Sequence, residues 1–272
     1  LGNGATNIIA PIATITIAIA TLFGDGLAAF FSLSLGKGEG EKAAKGLGTS
    51  IIYGSIFGII WTVIAFAFLR PLCLIFGATE NILPYALDYG RIIVIGFTFQ
   101  IVGNTINSAI RTDGSPRYAM LSMMIGAILN IILDPIFIFV FHWGVEGAAI
   151  ATIISQLFGL LFNIAYLFRL KTIKLSRQSF TFDIRTAGRI ASLGFASGAN
   201  NLTSTVVAFV SNNLTTKYGA ISPYGADIPL TTFGLCMKVS MLAFSIGIGV
   251  ASGSQPIIGF NYGAKKYDRV KK

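Results

Sequence analysis

The stretch Tyr118–Phe141 reads YAMLSMMIGAILNIILDPIFIFVF. It is long enough to cross a bilayer core of about 30 Å as a helix, and its only charged side chain is Asp134. Six more apolar runs share its length: about 6–35, 47–69, 86–110, 146–168, 190–214 and 228–257. Polar connectors rich in turn residues separate them, among them Gly36-Lys-Gly-Glu-Gly40, Gly77-Ala-Thr-Glu80, Thr112-Asp-Gly-Ser-Pro116 and Ser222-Pro-Tyr-Gly225. Over the 272 residues 54% are hydrophobic and 11% charged, where a soluble domain carries about 25% charged residues. Too little polar sequence remains to skin a soluble core. The expected fold is all-α, a polytopic transmembrane helical bundle with the lipid bilayer as its solvent.

The net charge of +9 invites a nucleic-acid reading, but its distribution points elsewhere. Lys37, Lys42, Lys45, Arg111, Arg117, Arg169, Lys171, Lys174, Arg177, Arg185, Arg189, Lys265, Lys266, Arg269, Lys271 and Lys272 all fall in alternate connectors. The opposite connectors hold little beyond Arg70, Arg91 and Lys217. The excess is a topology signal: residue 1 is expected outside and residue 272 in the cytoplasm. No nucleic-acid partner is needed. Cys73 and Cys236 match no metal or redox spacing and read as small apolar residues. The one histidine, His142, sits beside Trp143 at a span end, an interfacial position. The chain starts with Leu1, and its first apolar run has no basic leader or cleavage site, so a preceding segment is expected.

Shifted by 223 residues, the two ends of the chain align without gaps. Gly2, Gly24, Gly26, Gly36 and Gly40 fall on Gly225, Gly247, Gly249, Gly259 and Gly263, where chance gives about one such coincidence in windows of this glycine content. Ala20, Ala28 and Lys42 fall on Ala243, Ala251 and Lys265. The shift joins the first span to the seventh. Six spans separate their starts, so the copies are parallel, related by an axis along the membrane normal. The reading is two parallel six-helix repeats, the first lacking its first helix and the second incomplete. The chain divides into 1–170 (first lobe), 171–189 (basic cytoplasmic linker) and 190–272 (start of the second lobe).

The same residues carry a family resemblance. Gln255-Pro-Ile-Ile-Gly-Phe-Asn-Tyr-Gly-Ala-Lys-Lys266, followed by Asp268-Arg-Val270, resembles the end of span eight in the multidrug and toxic compound extrusion (MATE) family, in its bacterial branch. Its counterpart is Gly24-Asp-Gly-Leu-Ala-Ala-Phe-Phe-Ser-Leu-Ser-Leu-Gly36. Asn104–Arg111 with Gly114-Ser-Pro-Arg-Tyr118, and Asn130-Ile-Ile-Leu-Asp-Pro135 with Gly144-Val-Glu-Gly-Ala-Ala149, extend the likeness over essentially the whole chain, as spans two to eight of twelve. In this resemblance Gly24, Gly36, Gln255, Pro256, Gly259 and Gly263 are motif positions. The sixth span begins Gly194-Phe-Ala196, without the proline many members carry near that glycine, a departure that touches the bend of this helix. The resemblance implies a twelve-helix antiporter in the plasma membrane of a bacterium, monomeric at full length. It would export small organic cations in exchange for H+ or Na+, with no other cofactor and no enzymatic activity.

Asp134 is the strongest single candidate. It lies about 17 residues from Arg117, past the midplane at roughly 1.5 Å per residue. A carboxylate at such depth costs on the order of 3 kcal/mol on insertion scales and usually faces a cavity. Asn130 stands four residues earlier on the same helix face, and Pro135 leaves the carbonyl of Ile131 without its helical donor. The group offers oxygen ligands for Na+, or a carboxyl that takes and releases a proton; the bland reading is a polar clamp between helices. The resemblance implies that Asn130 and Asp134, joined by Thr152, form the cation site. It also implies an upstream coupling aspartate.

Further intramembrane polar residues are Asp25, flanked by Gly24 and Gly26; Lys238, which snorkels or faces the cavity; and Gln100, Asn104, Asn107, Asn163, Asn200, Asn201, Asn212 and Asn213 as wall candidates. Two rival readings are a seven-helix receptor or retinal protein, with Lys238 in its seventh span, and a lipid-linked saccharide flippase of the same superfamily. The parallel repeat and the long basic connector oppose the first. A flippase cavity needs several Arg or Lys residues, and Lys238 is the only basic residue deep in a span.

Overall fold

In the computed structural model the chain is all-α among the described residues, which are 2–78, 80–221, 223 and 227–271. Within these, the side chains of residues 2, 3, 208, 209, 212, 213, 216, 220, 227–231, 234, 235 and 238 lie outside the description. The helices are α1 Gly2–Gly36, α2 Gly40–Ala67, α3 Leu69–Ile75, α4 Leu83–Thr112, α5 Pro116–Pro135, α6 Gly144–Leu167, α7 Ile184–Ile221, α8 Asp227–Gly263 and α9 Tyr267–Val270. A π turn, Ile136–Val140, extends α5, and a single 3-10 turn, Arg177–Ser179, sits in the connector before α7.

Connector chemistry fits the expected turns. Gly38 and Gly114 adopt positive φ, 79° and 82°, where a side chain would be strained, and they end α1 and α4. Pro116 starts α5 where its missing N–H costs nothing. Pro135 ends the regular part of the same helix. Its ring removes a donor, and the ladder slips into the wider π register immediately after Asp134.

Six helices among the described residues are long and apolar enough to span a membrane: residues 4–36, 40–67, 83–112, 116–140, 144–167 and 239–263. The sequence suggests seven. The seventh run, 190–214, lies in α7, where several side chains lie outside the description and Asn200, Asn201, Thr203, Ser204 and Thr205 dilute the apolar run. α7 nevertheless packs along α1, at the level of Gly26, Gly194 and Gly198. A Cβ on Gly194 would press into the carbonyl of Leu22, and one on Gly26 into that of Ile190. Backbones meet here because neither residue carries a side chain, the usual device where lipid supplies no hydrophobic drive between helices.

α4 lies at the centre, packed on α1, α2 and α6. Three apolar clusters surround it. Ile9, Ile12, Leu69, Val94 and Phe97 fill the end away from the basic connectors. Leu27, Phe31, Leu47, Ala109, Ile173 and Ile190 fill the basic end, and Val102, Ile106, Ile110 and Leu160 join α4 to α6. Ile173 and Ser179 of the 169–189 connector are buried, and Ser179 lies against Gly48. That connector is therefore an ordered strap across α2 and α4. α5 and α8 instead turn large apolar side chains outward, Met123, Ile131, Met241 and Phe244 among them, as a surface bathed in lipid or covered by other helices requires.

Candidate functional site

Asn130 and Asp134 sit one helical turn apart on α5, and Thr152 faces them from α6. Asn130 Nδ2 donates to Asp134 Oδ1 at 3.2 Å and lies 3.4 Å from Thr152 Oγ1. The amide orientation follows from chemistry, since an ionised carboxylate only accepts. Thr152 in turn donates to the carbonyl of Ala148, 2.9 Å away. Asn130 is thus the hub of a three-residue polar cluster spanning two helices. All three side chains are half-buried.

Asn130 and Thr152 of this cluster line one end of an open cavity of about 390 Å³ between α4, α5 and α6. Gln100, Asn104 and Asn107 line it from α4, Ser122 and Asn130 from α5, and Thr152, Ser155, Gln156 and Asn163 from α6. Its lining includes neither Lys nor Arg. Asn163 donates to the carbonyl of Gly103 at 3.0 Å, while its own buried oxygen, like Oε1 of Gln156, has no donor among the described residues. Asn104 serves the wall twice, lining the cavity and donating to the carbonyl of Ala20 at 3.0 Å. This bond fits only because Gly24 leaves room for the amide.

The other candidates fall elsewhere. Asp25, on α1, pairs with Arg111 of α4 at 3.8 Å, and Arg111 also donates to Ser108 at 2.9 Å. This geometry is an interhelical clamp away from the Asp134 cluster. Gln255 of α8 donates to the carbonyl of Asp25 at 3.2 Å. Gly36 and Gly263 face each other, backbone against backbone, and Gly259 faces Ser32, so these motif residues make the α1–α8 crossing. Pro256 lies inside α8. Asn201 ties α7 to Thr21 of α1 at 3.2 Å. The side chains of Lys238, Asn212 and Asn213 lie outside the described residues, as does Gly225.

Sequence reading did not single out Asp113, which is 1% exposed at the end of α4. It accepts from the hydroxyl of Tyr166 at 2.8 Å, the N–H groups of Lys171 and Thr172 at 2.8 and 2.9 Å, and the Thr172 hydroxyl. It fastens the connector to the bundle. Nor did sequence mark Ser122, Ser155 and Gln156 as cavity residues; Ser122 and Ser155 could have been found by their spacing from Asn130 and Thr152.

A multi-pass helical bundle whose spans frame an uncharged cavity, with amide and hydroxyl groups set among apolar ones, fits a membrane transporter. The MatE family model matches residues 4–136 and 197–272, and the chain belongs to that family, whose members are transporters and not enzymes. It is 26% identical over 268 residues to the multidrug export protein MepA of Staphylococcus aureus, covering 96% of this chain and 57% of that protein. It is 27% identical over 269 residues to MepA of Staphylococcus haemolyticus, again covering 96% and 57%. Among solved structures it superimposes on the outward-facing conformation of a multidrug resistance MATE family transporter of the MOP superfamily. The TM-score is 0.91 at 26% identity, covering 98% of this chain and 58% of that one. The chain thus spans little more than half the length of these relatives.

Proposed function

We propose that this chain carries the first lobe of a secondary active exporter (1–170), its cytoplasmic linker (171–189) and the start of its second lobe (190–272). The two lobes are parallel six-helix repeats, and alternating access exchanges small organic cations for H+ or Na+. The observation that carries this reading is the Asn130 hub, which joins Asp134 to Thr152 at one end of the cavity. Asp134 takes up the coupling ion, Asn130 and Thr152 supply further oxygens, and the uncharged wall receives the organic cation. A cavity lined without Lys or Arg supports cationic cargo over the anionic cargo of a lipid-linked saccharide flippase. The setting is a bacterial plasma membrane, with residue 1 outside and residue 272 in the cytoplasm, supported by the basic connectors.

The test is efflux of a cationic dye, driven by an imposed H+ or Na+ gradient, in cells making the full-length protein. Asp134→Asn should reduce efflux to the level of cells without the protein while dye binding persists. Gradient-driven efflux that survives in Asp134→Asn would remove the coupling role from this residue.

A further inference from the structure

A second cleft, of about 560 Å³, opens at the basic end of the bundle where α5 begins and α6 ends. Three cations from three segments surround it: Arg117 on the first turn of α5, Arg169 just beyond α6, and Lys171 on the strap. All three are exposed, and among the described residues none takes part in an ion pair. The wall between them is aromatic. The rings of Tyr118 and Tyr166 lie 4.7 Å apart, and both hydroxyls are already engaged, Tyr118 with the carbonyl of Phe162 and Tyr166 with Asp113. Asp113 stands behind this wall with its oxygens engaged by Tyr166, Lys171 and Thr172. It holds Lys171 in place, and the cleft keeps a surplus of positive charge.

Basic residues beside span ends also set topology, but topology requires no cavity. Here the charges converge on one, and the half-buried ring of Tyr118, backed by the buried Tyr166, gives its wall an apolar face for a glycerol backbone. Beyond the cleft, Leu121 continues the wall, 47% exposed, and Met124 carries the same apolar face further along α5, 46% exposed. A ligand with an anionic head at the interface and a tail running down α5 matches this sequence of surfaces.

We propose that this cleft binds the phosphate headgroup of an anionic phospholipid from the leaflet at the basic end, with its acyl chains along α5. Basic pockets between spans on the cytoplasmic side are a recurrent arrangement for such headgroups. The site is separate from the Asp134 cavity and does not depend on the transport reading.

The experiment uses the full-length protein in nanodiscs of phosphatidylglycerol and phosphatidylcholine, with retained lipid counted by native mass spectrometry. Neutralising all three cations (Arg117→Gln, Arg169→Gln and Lys171→Gln together) should weaken phosphatidylglycerol retention roughly a hundredfold, at about fivefold per charge. The matched variant Lys265→Gln, Lys266→Gln and Arg269→Gln removes as much charge outside the cleft and should retain the lipid as the unmodified protein does. Equal loss in both variants, or no loss in the first, overturns the proposal. Inorganic phosphate should fail to displace the lipid. Displacement of phosphatidylglycerol by phosphate alone would make the site one for free phosphate and would overturn the lipid assignment. A photoactivatable phosphatidylglycerol, applied to the unmodified protein, keeps the test open should the triple variant misfold. Labelling should fall within 114–121 and 166–171, and labelling confined to other residues refutes the site.

Discussion

Removing the Asp113 carboxylate should release the strap. Asp113 holds four donors from the end of α6 and the strap, the Tyr166 hydroxyl, the N–H groups of Lys171 and Thr172, and the Thr172 hydroxyl. Asp113→Ala deletes the acceptor for all of them. Tyr166 is 3% exposed, so its phenol loses its partner where water does not reach, at a cost of about 1–3 kcal/mol. Lys171 and Thr172 are exposed, and water replaces most of what their groups lose, leaving roughly 0.5 kcal/mol for each bond. The sum is about 3 kcal/mol, or roughly a hundredfold in the population of the open strap. Arg169, Lys171, Lys174 and Arg177 make the strap a trypsin substrate once it opens, and cleavage follows the open population when reclosing is fast. Limited proteolysis in detergent should therefore cut Asp113→Ala in this segment about a hundred times faster than the unmodified protein. Asp113→Asn, with one acceptor oxygen, should fall between, and Tyr166→Phe should lose about 1 kcal/mol. An unchanged cleavage rate and melting temperature in Asp113→Ala would refute the clamp.

Two further outcomes follow from packing and charge. Gly194→Ala should destabilise the protein by roughly 1–3 kcal/mol, because a Cβ would force the α1 and α7 backbones apart. Gly188→Ala, one and a half turns away with nothing near its added methyl, is the matched control, and equal melting of the two variants would contradict the packing argument. Asp183 begins α7. It accepts from the backbone N–H and hydroxyl of Thr186, pairs with Lys45 at 3.2 Å, and accepts from the N–H of Arg185. These contacts hold its pKa at about 2, below the ordinary 3.8. A depressed carboxyl stabilises above its unfolded value and loses that contribution as pH falls through the folded one. Hydrogen exchange in the first turn of α7 should thus gain protection from Asp183 in full above about pH 5 and lose it between about pH 4 and pH 2. Asp183→Asn should show no such transition, and an identical pH profile in both proteins would remove Asp183 from the cap.

Apolar run length was enough to find the spans, because a membrane helix must satisfy its own backbone and must face lipid. It also marked α7, through the run 190–214, but could not show that polar side chains there turn to α1, as Asn201 does to Thr21. Run length measures affinity for lipid, and α7 packs against protein. The site was partly legible for a similar reason. Asn130 and Asp134 are four residues apart, so helical geometry alone places them together, whereas Thr152 came only from family likeness. Asp25 is an intramembrane carboxylate whose role depends on Arg111, 86 positions away, and sequence spacing does not reveal that partner. Asp113 was read as a turn residue, and turn chemistry does hold there. Its second role depends on Tyr166, Lys171 and Thr172, more than fifty residues later, a distance at which a single sequence carries no signal.

The α1–α8 contact bears on how a transporter of this plan would alternate. α8 touches α1 toward the basic end, through Gln255 on the carbonyl of Asp25 and through Gly259 and Gly263 against Ser32 and Leu33. Along Val239–Val250 the described side chains are exposed. Among the described side chains, contact with α1 is thus concentrated toward the basic end of α8. Lipid gives no hydrophobic drive to hold two helices together, so this contact rests on close backbone packing and the Gln255 bond. Glycines make that contact without interlocking side chains. Little must be unpacked to open it, and little conformational entropy is lost when it re-forms. The α1–α7 crossing also uses glycines, but there Asn201 and an extended run of neighbouring residues add to the contact. The glycine crossing near Gly36 and Gly263 is thus the lighter of the two contacts on α1, and that at Gly26 and Gly194 the more extensive.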